Sequence, residues 1–219
     1  MELIEFIKVN RQLWNSFRSK EGGVKVLVEE PSIFPMINHT NGIFSVILNQ
    51  AKAYEPLWLY TPGFNRDFIT SYVANANFAF PPVRNIWLEV KIAIASIWKY
   101  LLALCACKIL PFSYEGVKYG DIVYDAYLIM RKKGTVRFVD FTILRIMYVC
   151  LRRHELVKAL IKKYAIKAVL VSQQVGLTQG VLLRAAIRYG CEGYLHAGHH
   201  QSTFQCFRSI EEVYDYEYK

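Results

Sequence analysis

The sequence predicts an α/β fold: a Rossmann-like three-layer sandwich with a mainly parallel sheet. Two segments support this prediction. A β-branched run, a helical pattern and a second apolar run follow one another over residues 24–60, and a compact strand–helix–strand pattern covers residues 167–196. Parallel neighbours in a sheet need a crossover of this kind, whereas antiparallel neighbours need only a short turn. With 219 residues, 53% of them hydrophobic, the chain can form a single domain, residues 1–219, around a buried core.

The N-terminal part contains one helix and then the first strand–helix–strand unit. Apolar residues recur at helical spacing up to Gly22 and Gly23, which assigns residues 1–22 to an N-terminal helix. β-branched residues and turn formers decide the next assignments. These are a strand at 24–29, a loop at 31–42, a helix at 43–54, a strand at 57–60, a short helix at 68–73 and a short strand at 77–80.

The segment from 85 to 110 is the most apolar part of the chain. Its run from 92 to 110 is long enough to span a membrane, but Lys99 lies at the centre. A lysine at that depth costs about 2.5–3.5 kcal/mol. We therefore expect a buried or membrane-surface helix here rather than a spanning one.

The C-terminal part contains the second strand–helix–strand unit. Its predicted elements are a helix from 120 to 131, one long or two abutting helices over 138–164, a strand at 167–172, a loop at 173–176, a helix at 177–189 and a final strand at 193–196. Residues 203–219 are expected to be a tail or the start of an interdomain connection. The five cysteines form no CxxC pair, which indicates reduced, mostly buried thiols in a cytoplasmic protein.

The formal net charge of +9 suggests an acidic partner, such as an anionic membrane face or a phosphorylated substrate. Plain solubility explains the charge equally well. Nucleic acid is not the expected partner, because the chain has no recognisable binding motif of that kind and its aromatic residues follow the periodicity of a core.

The predicted helix that begins near Gly120 has two different faces at about 100° per residue. One face is apolar and can dock on a core: Ile122, Val123, Ala126, Ile129 and Met130. The other face places two carboxylates one turn apart beside a phenol: Asp121, Tyr124, Asp125, Leu128 and Arg131. Asp121 follows a glycine at a helix start, as an N-cap does. Asp125 satisfies no backbone donor and is a candidate general base if it is buried near Tyr124.

Three loops are expected at the carboxyl ends of parallel strands, where such sheets bind ligands: 29–41, 172–180 and 196–202. The second runs into a helix N-terminus and can receive a phosphate or a hydroxyl-rich ligand, although an ordinary capped loop explains it as well. Its polar or flexible residues are Ser172, Gln173, Gln174, Gly176, Thr178, Gln179 and Gly180.

The third of these loops contains a histidine cluster: His196, His199 and His200. A base or phosphate-binding role suits these histidines better than a metal site, because HxxHH matches no familiar ligand geometry. Solvent-facing loop histidines are the alternative explanation. No cofactor is predicted, since the chain has neither a P-loop nor a dinucleotide fingerprint.

Two stretches in this order carry a more specific pattern: GVKYGDIVYDAYL at 116–128 and KAVLVSQQVGLTQGVLLRAAIRYG at 167–190. They resemble bacterial surface-polysaccharide biosynthesis proteins, the glycosyltransferase-like chains of capsule and O-antigen clusters. Those chains have a G-x-x-x-G-D-x-x-Y-D-x-Y-L segment and a strand–loop–helix that ends in R-A-A-x-x-x-G. The resemblance covers roughly residues 110–200 well, and the N-terminal part only in pattern.

The resemblance implies the N-terminal half of a GT-B enzyme, in which this half holds the acceptor and often the base. Sugar would pass from a nucleotide sugar, bound by a second domain or a partner, to a lipid-linked glycan at the inner face of the cell membrane. Asp125 or Asp121 would be catalytic. The implied substrate-binding residues are Gly120, Tyr124, Gln173, Gln174, Gly176, Thr178, Gly180, His199 and His200. The alternative is a non-catalytic module that docks on a partner subunit or on the membrane.

Overall fold

The computed structural model describes residues 3–14, 22–31, 35–64, 66–73, 76–83, 85–132, 134–197 and 203–216. Its strands are β1 (Val24–Val28), β2 (Tyr54–Leu59), β3 (Asn77–Ala79), β4 (Ser113–Tyr114), β5 (Val117–Lys118), β6 (Ala168–Val171), β7 (Glu192–Ala197) and β8 (Thr203–Phe207). Six of them form a sheet in the order β3-β2-β1-β6-β7-β8, while β4 and β5 form a separate hairpin. All neighbours in the large sheet are parallel except β7 and β8, which are antiparallel.

Some helices pack on the two faces of this sheet, and others form a separate cluster beside it. The helices are α1 (Leu3–Trp14), α2 (Pro35–Lys52), α3 (Arg66–Thr70), α4 (Ile86–Ala106), α5 (Gly120–Arg131), α6 (Phe141–Tyr164), α7 (Val181–Arg188) and α8 (Ile210–Tyr216). A π-helical turn, Gly176–Gly180, leads into α7. Of the two alternatives for the α6 region, the structure has the single long helix. None of the helices in the described ranges combines the length and the apolarity that crossing a membrane requires.

Alternate residues of the central strands pack on opposite faces of the sheet. Leu27 and Val169 belong to a buried cluster with α6, α7 and α8, whereas Val28 and Leu170 belong to a cluster with α2 and α3. A strand that is covered on both faces has a nearly continuous run of apolar residues in its sequence. These strands could be predicted for this reason. The mixed α/β class and the mainly parallel sheet are confirmed, and the arrangement is compatible with a Rossmann-like fold.

A third buried cluster lies away from the large sheet, where α4, α5 and the N-terminal part of α6 meet the β4–β5 hairpin. Ile122 and Val123 contribute to it from α5, as the helical pattern predicted. The prediction that Ile129 and Met130 share this docked face is wrong, since they are 76% and 50% exposed. The last turn of α5 extends beyond the cluster.

The predicted loop at 31–42 is wrong in its second part, because α2 begins at Pro35. The segment from 38 to 41, Asn-His-Thr-Asn, has low intrinsic helix propensity. Tertiary contacts override this preference: Asn41 is fully buried and donates to Glu29, and Ser45 donates to the Asn41 carbonyl. A proline suits the first helical turn, where its missing N–H has no intrahelical partner.

The prediction that the strand at 193–196 is the last one is also wrong. β8 pairs antiparallel with β7, and α8 follows it with Val213 fully buried. Residues 203–216, which the sequence suggested to be a tail or an interdomain connection, thus pack on the sheet and on α7. The expectation of mostly buried thiols holds for Cys150 and Cys191 but not for the exposed Cys105 and Cys107.

Candidate functional site

The strand order reverses between β1 and β6, and the loops that leave these two strands therefore diverge. Such a switch point at the carboxyl edge of a parallel sheet leaves a crevice that commonly binds ligands. Glu29 follows β1 and Ser172 follows β6, and the Ser172 backbone N–H donates to the Glu29 carboxylate at 3.1 Å. The starts of the first two predicted loops are thus in direct contact.

A buried polar cluster joins the three predicted loops at this edge. Glu29, Asn41, Ser172 and His196 are each at most 7% exposed. The Asn41 amide nitrogen donates to Glu29 at 2.8 Å, and the Asn41 side-chain oxygen accepts from Nε2 of His196. His196 Nδ1 has no hydrogen-bond partner within the described ranges. The sequence predicted that these loops lie at the carboxyl ends of parallel strands; the contacts among Glu29, Asn41, Ser172 and His196 come from the structure.

Burial dominates the acid–base properties of this cluster. It raises the pKa of Glu29, although hydrogen bonds from Ser172 and Asn41 partly oppose the effect. It lowers the pKa of His196 to about 4, so the imidazole is neutral at physiological pH. Sequence reasoning did not single out Glu29 or Asn41. A glutamate directly after a buried strand is the signal that could have identified the first of them.

A cavity of about 330 Å³ lies at the same edge of the sheet, between the loop after β1, the N-terminal part of α4 and α6. This volume is within the range of small-molecule sites. Its apolar wall includes Val83, Leu88, Ile92, Leu156 and Leu177. Its ionisable side chains are Glu30, Glu89, Arg152, Arg153 and Glu155. Ligand sites in proteins commonly combine apolar walls with a few polar groups in this way.

Arg153 connects the two sides of the switch point inside the cavity. Its guanidinium donates to Glu30, in the loop after β1, at 3.0 Å, and to the backbone carbonyl of Thr178, in the loop after β6, at 2.9 Å. Arg152 donates to Glu89 at 3.0 Å. The cavity therefore offers carboxylates, which accept from hydroxyl groups, beside guanidinium groups, which bind phosphate.

The loop after β6 contributes less to the cavity than the sequence suggested. Thr178 is the one implied binding residue in its described lining. Gln173 is exposed, and the side-chain oxygen of Gln174 is buried without a hydrogen-bond partner among the described residues. Gly176 adopts φ +90°, a left-handed conformation that favours glycine. His199 and His200 lie outside the described residues.

Gly180 and Gly120 have packing roles. A Cβ on Gly180 would lie 2.6 Å from the Gln174 carbonyl oxygen, and one on Gly120 would lie 2.2 Å from the Leu110 carbonyl oxygen. Neither position has room for a side chain, because both contacts are with backbone. The two glycines allow a close approach of chain segments. Packing alone therefore explains why glycine occupies both positions, and no ligand contact is needed to explain it.

Asp121 forms a bidentate ion pair with Arg184 of α7. Arg184 Nη1 donates to Asp121 Oδ1 and to the Lys118 carbonyl, each at 2.8 Å, while Nη2 donates to Asp121 Oδ2. Arg184 is fully buried, and its guanidinium lies 5.3 Å from the ring centroid of Tyr214. The N-cap interpretation of Asp121 is wrong, because the cap position of α5 is Tyr119 and Asp121 lies in the first turn.

The ion pair also controls the protonation of Asp121. Burial acts to raise the pKa of this carboxyl, but the hydrogen bonds and the positive charge of Arg184 outweigh burial and leave the pKa below its usual value. Both carboxylate oxygens are engaged by the guanidinium. Asp121 is therefore a weak candidate for a base and a strong candidate for a residue that positions α7.

Asp125 is exposed rather than buried near Tyr124. Its pKa is raised, first by partial burial and then by the negative charge of Asp121, with Arg184 acting in the opposite direction. Tyr124 is partly buried against the α4–α5–α6 cluster. The described residues that line the cavity include neither Asp125 nor Asp121. The burial on which the base hypothesis depended is thus not observed.

The two stretches that carry the family resemblance contact each other in the fold. Asp121 pairs with Arg184, and a Cβ on Gly180 would lie 2.9 Å from Ile122. A Cβ on Gly116 would likewise lie 3.4 Å from the Arg188 guanidinium. Contacts of the start of α5 with the π-helical turn and with Arg184 of α7 thus give a physical reason for these residue types to occur together.

Comparisons of the chain with protein families, with curated proteins and with solved structures give no match. Within the described ranges, no group of three or more His, Cys, Asp or Glu side chains is placed to hold a metal ion. The cavity and the buried polar cluster, both at the carboxyl edge of the sheet, are the features from which a function can be argued.

Proposed function

We propose that the chain is a glycosyltransferase-like protein of bacterial surface polysaccharide biosynthesis, or the N-terminal, acceptor-binding half of such an enzyme with a GT-B architecture. It would serve the transfer of a sugar from a nucleotide sugar to a lipid-linked glycan. The observation that supports this proposal best is the 330 Å³ cavity at the switch point, with carboxylates and guanidinium groups on an apolar wall.

The cavity has the chemistry that a phosphate-linked sugar needs. Glu30 and Glu155 can accept hydrogen bonds from sugar hydroxyl groups, and Arg152 can pair with a phosphate. Leu88 and Leu156 can cover the apolar face of a sugar ring or the first carbons of a lipid chain. The nucleotide sugar would be held by a second domain or by a partner.

Sugar transfer also needs a base for the attacking hydroxyl. Asp121 does not suit this role, because Arg184 engages both of its oxygens. Asp125 is accessible and its raised pKa moves it towards the range of a useful base. In this proposal Asp125 is the candidate base, and the acceptor hydroxyl would have to reach it outside the cavity, because the described cavity lining includes no residue of α5.

A thermal-shift experiment tests the proposal. A short-chain polyprenyl diphosphate sugar is expected to raise the Tm, since a ligand at about 100 times its Kd adds about 2.7 kcal/mol to the free energy of unfolding. Ala159→Trp fills the cavity and is expected to remove the shift. Ala51→Trp introduces the same side chain at an exposed position at the end of α2 and should preserve it.

Two outcomes would count against this assignment. A shift that persists in Ala159→Trp would place the ligand outside the cavity, and the absence of any shift with the lipid-linked sugar would remove the acceptor role. Nucleotide sugars serve as the comparison. A shift with them alone would identify a donor site on this chain and contradict its assignment as the acceptor half.

The second candidate function is a non-catalytic module that docks on a partner subunit or on the membrane. It is favoured by the apolar residues that α4 exposes to solvent, among them Trp87 at 79% and Trp98 at 61%. Such a module would show no turnover alone. It would support sugar transfer only when mixed with a partner that carries the donor-binding half.

A further inference from the structure

Helix α4 exposes its more apolar side to solvent. Ile92, Ser96 and Tyr100 lie on the buried side. The opposite side, here called the α4 face, consists of Trp87, Val90, Ile94, Ile97, Trp98 and Leu101, each at least 45% exposed. A helix on the surface of a globular protein normally has the reverse arrangement. A continuous exposed apolar surface of this kind marks an interaction site.

The charges beside the α4 face are basic. Glu89 is the single acidic residue of α4, and it lines the cavity, where it pairs with Arg152. Lys91 is exposed at the border of the face, at about 40° from Trp87 on the helical wheel. The α4 face therefore combines apolar side chains with a cation and without a carboxylate.

A shallow groove between α4 and α6 continues the α4 face. It has a volume of about 330 Å³, and its lining includes Ile97, Phe141 and Arg145. Phe141 is 78% exposed. Arg145, the one charged residue in the described lining, forms no ion pair with any described residue. The groove thus places a guanidinium, a group that pairs with phosphates, beside apolar side chains.

We propose that the α4 face and this groove dock on the surface of a membrane that contains anionic lipids. The helix would lie in the plane of the interface, with its apolar side chains among the lipid chains and Lys91 and Arg145 at the phosphates. Trp87 and Trp98 suit this position, because an indole ring prefers the boundary between hydrocarbon and water. The net charge of +9 adds attraction to the anionic surface.

A second copy of the chain fits the same surface less well. A symmetric interface brings the same patch of two copies together, so it would place four basic side chains, Lys91 and Arg145 of both copies, in or beside one apolar interface. No carboxylate on the α4 face is available to compensate these charges. Lipid phosphates supply the missing negative charge.

The cavity lies on the other side of α4 from this face. Leu88 and Ile92 line the cavity, and Ile92 belongs to the buried side of the helix. Docking through the α4 face therefore leaves the cavity on the side of α4 that faces away from the lipid chains, and the docking proposal does not rest on the proposed function.

Co-sedimentation with vesicles tests the docking. The chain is expected to bind vesicles of phosphatidylcholine mixed with phosphatidylglycerol more tightly than pure phosphatidylcholine, and added salt should weaken the difference. The double variant Ile94→Glu/Trp98→Glu is expected to lower the partition of the chain into vesicles by about a hundredfold, because charges replace two apolar side chains that docking would bury in the membrane. Ile4→Glu, at a 79% exposed isoleucine of α1, is the matched control and should bind as the wild type does.

The basic residues are tested separately. Lys91→Gln and Arg145→Gln are each expected to weaken binding to the anionic vesicles about fivefold, and to leave binding to phosphatidylcholine unchanged. All of these side chains are exposed, so the Tm in solution should stay at the wild-type value and report intact folding.

Either of two results would overturn the docking proposal. One is an unchanged vesicle partition for Ile94→Glu/Trp98→Glu. The other is a wild type that binds no vesicles and is a dimer in sedimentation velocity, while this variant is a monomer. That result would show that a second copy covers the α4 face. The thermal shift with the soluble lipid-linked sugar is measured without vesicles, so failure of acceptor binding and failure of docking are separate observations.

Discussion

Asp121→Asn is expected to lower the free energy of unfolding by about 3 kcal/mol, the low end of the usual cost of removing one partner of a buried ion pair, because the Asp121 side chain is itself 29% exposed. Arg184 is fully buried, and the substitution leaves its charge without the carboxylate that compensates it. The Lys118 carbonyl and the Tyr214 ring remain in contact with the guanidinium but carry no net negative charge. Urea unfolding at neutral pH, followed by tryptophan fluorescence, measures the loss.

The matched control for this variant is Asp125→Asn, one helical turn away on the same face of α5. Asp125 is exposed, so its substitution should change stability by no more than about 0.5 kcal/mol. The double variant Asp121→Leu/Arg184→Met should regain much of the lost stability, because no buried charge remains. A fully stable Asp121→Asn protein that has lost sugar transfer would instead make Asp121 catalytic and refute its structural role.

As the pH drops from neutral to acid, the free energy of unfolding of the wild type is expected to fall by about 3 kcal/mol more than that of His196→Gln. Burial lowers the pKa of His196 from 6.5 to about 4 in the folded chain. Between these two values the unfolded chain binds a proton that the folded chain does not. The stability that the neutral His196 side chain contributes is therefore complete above pH 6.5 and is lost as the pH falls towards 4.

Urea unfolding at a series of pH values, for wild type and His196→Gln, isolates this effect. His154 also has a pKa lowered by burial and is present in both proteins, so its contribution cancels. Glu29 acts with the opposite sign, because burial raises its pKa and the stability it adds is lost as the pH rises. Equal pH slopes in the two proteins would show that the pKa of His196 is the same in the folded and unfolded chain, and would contradict a buried imidazole with a lowered pKa.

The strands could be predicted from the sequence where burial on both faces makes them continuous apolar runs, as at 24–28 and 168–171. α2 and β8 could not be predicted in the same way. The first turns of α2 depend on the distant contact between Asn41 and Glu29. β8 is an edge strand of only five residues, Thr-Phe-Gln-Cys-Phe, and its partial alternation of polar and apolar residues is a weak pattern beside the long apolar runs.

The site was predictable in position but not in composition. The rule for parallel sheets depends on strand direction, and it placed the residues at Ser172 and His196 at the carboxyl ends of their strands, which the parallel pairing of β6 and β7 confirms. The arginines of the cavity come from α6, and no local pattern connects Arg153 with Glu30, 123 positions away. The prediction for Asp121 failed in another way. A local sequence pattern suggested that Asp121 caps α5, whereas its carboxylate pairs with the distant residue Arg184.

The two edges of the large sheet bear on how the chain behaves at high concentration. β3 is three residues long, and β8 is five residues long and runs through Arg208 into α8. Short edge strands offer few free backbone groups to a strand of another molecule, which limits strand-by-strand aggregation. Aggregation at high concentration is therefore not expected to proceed by strand addition at either edge of the sheet.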